Sequence, residues 1–87
     1  MTQKIKVPDG GTVSQGENFD WENHSAVPVA ITGTGSFLTL SSYSVAAKVG
    51  TTPGTTPATV KNPCVPGEYT YSETNNPMGT NPKMTVT

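Results

Sequence analysis

An all-β sandwich is the fold class this chain predicts, on three observations. Helical periodicity is nearly absent, short β-branched or aromatic runs recur, and Gly, Pro and Asn punctuate the intervals between them. Seven or eight short strands at such spacing fit two packed sheets with Greek-key connections better than any helical or mixed architecture. A single domain is expected over residues 1–87.

The first strand is expected at 4–7 and ends in Pro8-Asp9-Gly10-Gly11, a turn cluster whose glycines supply positive φ. A brief edge segment at 12–14 follows, then a turn at Gln15-Gly16. Residues 17–22 alternate, with Phe19 and Trp21 on one face and Asn18, Asp20 and Glu22 on the other. Trp21 is the leading core candidate. After Asn23-His24-Ser25, residues 27–32 form another strand, with Pro28 near its start. Apolar alternation resumes at 37–40, and 43–49 supplies one more strand.

Residues 50–57, Gly-Thr-Thr-Pro-Gly-Thr-Thr-Pro, predict a loop or hairpin tip, since two prolines and two glycines oppose regular pairing. A short strand at 59–61 precedes the break at Asn62-Pro63. The Pro66-Gly67 turn launches a strand at 68–73 that carries Tyr69 and Tyr71 on one face, as rim residues with their hydroxyls in water. Residues 75–82 form a polar loop and 83–87 the closing strand.

Composition narrows the function. With 32% hydrophobic and 13% charged residues, the chain has about half the usual charged share, and Thr, Ser, Asn, Gly and Pro fill the gap. That weakly charged polar surface fits an exported, extracellular or periplasmic, mature domain. A formal net charge of -1 without a run of Lys or Arg gives no footprint for nucleic acid. No apolar stretch approaches the roughly 20 residues that span a bilayer, so no membrane insertion is expected, and Met1–Val7 lacks the apolar core of a signal peptide. One cysteine, Cys64, rules out an internal disulfide.

Two segments carry a family resemblance. Gly16-Glu17-Asn18-Phe19-Asp20-Trp21-Glu22-Asn23, followed by Val27-Pro28-Val29-Ala30-Ile31, resembles the cupredoxin stretch in which a strand ending in Trp-x-Asn precedes the strand of the first His ligand. Pro66-Gly67-Glu68-Tyr69-Thr70-Tyr71, followed by Asn76-Pro77 and Met84-Thr85-Val86, is similar to the second cupredoxin signature, where a Pro-Gly-x-Tyr-x-Tyr strand leads into the Cys, His and Met loop. The resemblance spans most of the chain and implies a cupredoxin-like sandwich. It also implies that the copper ligands are missing. The first His position falls on Val29, the Cys position on Glu73 or Ser72, and the second His on Asn76 or Asn75; only Met78 has a counterpart, the axial ligand. A blue-copper centre needs a thiolate and two imidazoles, which Val, Glu and Asn do not replace.

Other chemistry is thin. The remaining metal-ligating side chains, His24, Cys64, Met78 and Met84, are scattered. His24 beside Asn23 and Ser25 predicts a solvated loop imidazole, and Cys64 a small buried hydrophobe. There is no Gly-x-Ser-x-Gly elbow and no phosphate loop, and Glu68 and Glu73 fall on opposite strand faces by parity, so no catalytic pair is expected. Asn23-His24-Ser25 matches the N-glycosylation sequon.

The expected function is therefore that of a non-catalytic structural or protein-binding module without the blue-copper site and without a cofactor. Its expected contact residues lie in loops 23–28 and 75–82 and include Asn23, His24, Asn75, Asn76 and Met78. Two alternatives remain open at this point. One is a copper binder or carrier using His24, Met78, Met84 and Cys64, and the other is a self-associating surface or fibre subunit.

Overall fold

The computed structural model describes residues 2–7, 10–74 and 81–87, which form strands and loops without a helix. The strands are β1 (Gln3–Val7), β2 (Thr12–Val13), β3 (Asn18–Asn23), β4 (Val29–Thr32), β5 (Ser42–Val45), β6 (Gly54–Thr59), β7 (Gly67–Thr70), β8 (Ser72–Glu73) and β9 (Lys83–Val86). One sheet has the order β1-β3-β6, with β1 parallel and β6 antiparallel to β3. Opposite it lie β2-β9-β7 and β5-β4-β8, which meet where β7 passes into β8 through Tyr71. The all-β sandwich predicted from strand patterning is thus the fold observed.

Side chains tie the sheets at both seams. Gln3 Nε2 donates to Thr12 O (2.9 Å) between β1 and β2, and Thr56 Oγ1 donates to Ser44 O (2.6 Å) between β6 and β5. The edges that an open sandwich would leave bare therefore face each other.

Strict alternation in β3 buries Phe19, Trp21 and Asn23 and turns Asn18, Asp20 and Glu22 outward. Trp21 is fully buried at the centre of an aromatic cluster. Its ring stands edge-on to Phe19 (centroids 5.1 Å) and Tyr71 (5.4 Å), and Tyr43 lies 6.1 Å away. Such edge-to-face contacts add about 0.5–1.5 kcal/mol per pair to the area buried.

Four local expectations are corrected. Residues 54–59 are not a loop tip but β6, in register with β3 along its whole length. Val60 N–H donates to Glu17 O (2.9 Å), so the hydrogen-bonded pairs of this ladder fall at 60, 58, 56 and 54. Pro57 occupies the alternate position opposite Asp20, where its missing N–H costs no bond in the β3 ladder.

The run 37–40 is a turn rather than a strand, and Phe37 and Leu38 are both fully buried while Leu40 is exposed. Thr34 O accepts from both Phe37 N–H (3.1 Å) and Leu38 N–H (2.8 Å), and a single bridge joins Leu38 to Val60. The strand at 43–49 stops at Val45, leaving Val49 in a tight bridge to Thr52. Tyr71 is a core residue rather than a rim residue: it shares the inward parity of Tyr69 and Glu73, and its ring packs against Trp21. Tyr69 keeps the half-buried place expected of it.

Two glycines are required for space. A Cβ on Gly10 would strike the Lys83 carbonyl, and one on Gly54 would strike the Ala46 carbonyl. Neither backbone can yield cheaply.

Candidate functional site

The loop end of the sandwich is organised by Asn23, the last residue of β3. Its parity with Phe19 and Trp21 sends the side chain inward, and it is fully buried. A buried amide must find partners for two donors and a carbonyl oxygen. Nδ2 donates to Val27 O (2.9 Å) and Ala46 O (3.1 Å), while Oδ1 accepts from Ser25 N–H (2.9 Å) and Ser25 Oγ (2.7 Å). One side chain thereby fastens loop 23–28 to the chain leaving β5, and Lys48 N–H, donating to Ser25 O (2.9 Å), adds a backbone link.

This geometry corrects the expectation that Asn23 is an exposed contact residue. It also leaves the sequon unusable in the folded chain, since the Nδ2 that a glycan would occupy is buried and bonded. Sequence reading missed the clamp, although the 19, 21, 23 parity carried the signal.

His24, the next residue, is exposed as expected, and its Nε2 lies 2.5 Å from Glu22 Oε1. Around the clamp the surface is mixed: Val27 is 45% and Val49 79% exposed, with Ala26 and Pro28 also outward, beside the exposed His24, Ser25 and Lys48. Val29 opens β4 with its side chain only 7% exposed. Glu73 in β8 pairs with Ile31, which pairs with Tyr43, so the three share the inner face and the Glu73 side chain is half-buried. Thr74 continues that register, its N–H donating to Ala30 O (3.0 Å) and its Oγ1 accepting from Ala30 N–H (2.8 Å). Glu68 is exposed on the other face, as parity predicts. Asn75, Asn76 and Met78 lie outside the described residues.

The other ligand candidates do not converge on His24. Cys64 N–H donates to Gln15 Oε1 (2.9 Å), beside the start of β3, whereas His24 follows its end. Six residues of strand separate these ends by about 17 Å. Met84 is fully buried in β9, opposite Tyr69. Among the described residues no three His, Cys, Asp or Glu side chains form a group able to hold a metal ion.

Cys64 is the small buried thiol expected. Its Sγ lies 3.7 Å from the hydroxyl of Tyr69, which donates to Val65 O (2.5 Å) and whose ring stacks on Phe37 at 5.0 Å. The contact with Cys64, then desolvation, then the negative charge of an ionised thiol hold the Tyr69 phenol above the ordinary tyrosine value of 10.0.

Comparison with solved structures places this architecture. A methionine-to-alanine mutant of amicyanin in its Cu(I) form matches with a TM-score of 0.60 and 17% identity, over 99% of this chain and 82% of that one. A methionine-to-glutamine mutant, also Cu(I), matches with a TM-score of 0.56 and 20% identity over 100% and 81%. A reduced tryptophan-to-tyrosine mutant gives a TM-score of 0.56 and 18% identity over the same shares. At this identity the likeness shows the fold, which is cupredoxin-like. No family model matches the chain. No curated protein matches it either.

Proposed function

We propose that this chain is a non-catalytic structural or protein-binding module that keeps the cupredoxin-like sandwich, has lost the blue-copper site and works outside the cytoplasm. Val29 carries the reading. It stands in β4 where the resemblance puts the first imidazole ligand, and its buried hydrocarbon side chain has no lone pair to offer copper. Glu73 or Ser72 replaces the thiolate, and the loop end is held by the amide of Asn23. Fold outlives function readily, and the surviving scaffold presents Val27 and Val49 as contact surface.

Titration with Cu(I) under reducing conditions and with Cu(II), followed by NMR and by metal analysis of natively purified protein, tests the loss of the site. Unmoved methyl signals of Val29 and Met84 and no stoichiometric copper are expected; one tightly held copper per chain overturns the reading. A photo-crosslinker at Val49, compared with one at the similarly exposed Val65 at the opposite end, tests the contact surface in the native source. Adducts at 49 and none at 65 are expected. The reverse result moves the surface to the Cys64 end.

A further inference from the structure

The two outer faces of the sandwich differ sharply in chemistry. On the β1-β3-β6 sheet the outward rows are Lys4, Asp20, Pro57 and Lys6, Glu22, Thr55, and Lys4 Nζ already sits 3.9 Å from Asp20 Oδ2. The opposite face is lined by hydroxyls. Ser42, Thr32 and Ser72 form one row across β5, β4 and β8, and Ser14 Oγ lies 3.3 Å from Thr87 Oγ1 beside β2 and β9. Between them, Thr12 and Thr85 align with Glu68, and Thr70 aligns with Lys83. Glu68, Thr70 and Ser72 are all exposed, so the outward parity runs unbroken from β7 into β8.

Glu68 and Lys83 are the only charged outward residues in the described strands of this face, and no salt bridge joins them to any described residue. They lie diagonally on neighbouring strands, with the inward Tyr69–Met84 pair between them. Hydroxyls both donate and accept, so a hydroxyl-lined face is complementary to itself. Two adjacent charges of opposite sign are self-complementary as well, because a two-fold axis between them sets each over its opposite in the other copy.

We propose that a second copy of this chain docks on this face, about a two-fold axis between Glu68 and Lys83, with Glu68 of each copy pairing across the interface with Lys83 of the other. A face of six short strands falls in the weak class of interfaces that bury less than about 1,200 Å² in total, so the dimer is transient and salt-sensitive. The docking is face to face and closes as a pair, unlike fibre growth through sheet edges. It is separate from the loop end and independent of the function proposed there.

Sedimentation velocity over a wide concentration range, at low and high salt, tests it. A monomer–dimer equilibrium weakened by salt is expected. Glu68→Lys and Lys83→Glu should each weaken it about tenfold or more, and the double exchange should restore it to near the parent value. Ser72→Lys, which puts a bulky charge on the face away from the pair, should also abolish association. Circular dichroism melts confirm that each variant folds. A monomer at every concentration overturns the proposal, as does a dimer indifferent to all these changes. Failure of the double exchange to restore association, with its fold intact, does the same.

Discussion

The two ends of β3 are held together by different balances of hydrogen bonding and aromatic packing. Beyond Asn23, one buried amide makes four bonds to loop backbone and Ser25, while Val27 and Val49 are left in water. Beyond Asn18, packing shares the task with hydrogen bonds: the Tyr69 ring lies on Phe37 with Cys64 buried against it, while Gln15 Oε1 accepts from Cys64 N–H and the Tyr69 hydroxyl donates to Val65 O. The amide-clamped end sets those valines beside the exposed His24 and Lys48. The packed end hides the chain's one thiol. In a domain this small, neither end has core to spare, so each depends on a few side chains.

That contrast can be broken most severely at Asn23. Asn23→Ala leaves two carbonyls and Ser25 without their partner and should cost about 3 kcal/mol in urea unfolding; a loss below about 0.5 kcal/mol would show that the clamp is not what holds the loops. Gly54→Ala attacks the same end from β6 by driving a methyl group into the Ala46 carbonyl, with an expected loss of about 1–3 kcal/mol. At the packed end, Cys64→Ala removes a buried thiol and should cost about 1 kcal/mol, without moving the backbone signals around Asn23.

The packed end should also respond to alkali. The folded protein holds the Tyr69 proton more tightly than the unfolded chain does. The associated stability is complete below pH 10.0 and falls as pH rises through the folded value. Unfolding followed between neutral and alkaline pH should show this decline, and both Tyr69→Phe and Cys64→Ala should flatten it. The smallest effect belongs to His24→Ala. An exposed pair with Glu22 should change stability by no more than about 0.5 kcal/mol. A larger loss would mean that the loop end relies on this imidazole as well as on the amide.

Much of the fold was legible because strand parity is a local property. Phe19 and Trp21 point inward, Glu68 and Glu73 fall on opposite faces, and Cys64 packs as a hydrophobe, all as neighbouring residues imply. Where the reading failed, the deciding partner was remote. Pro57 looked like a strand breaker until β3 was placed beside it in a register that asks nothing of its nitrogen. Phe37 and Leu38 abandon alternation because Thr34 turns the chain there and sets them against Tyr69 and Val60. Tyr71 and Asn23 looked like surface groups because a hydroxyl and an amide are usually solvated, and only their burial against Trp21 and beneath Ala46 reversed that.

By itself, then, the sequence determined an all-β sandwich and the inward places of Phe19 and Trp21 in β3. These follow from residue identity and from the two-residue period of an extended chain. The tertiary structure alone decided that 54–59 is a strand, that Asn23 is a clamp, that His24 and Cys64 stand at opposite ends, and that one outer face is hydroxyl-lined while the other carries charge. Each of these depends on which strands lie side by side and in what register, and pairing between distant segments is set by the whole packed molecule rather than by any stretch of it.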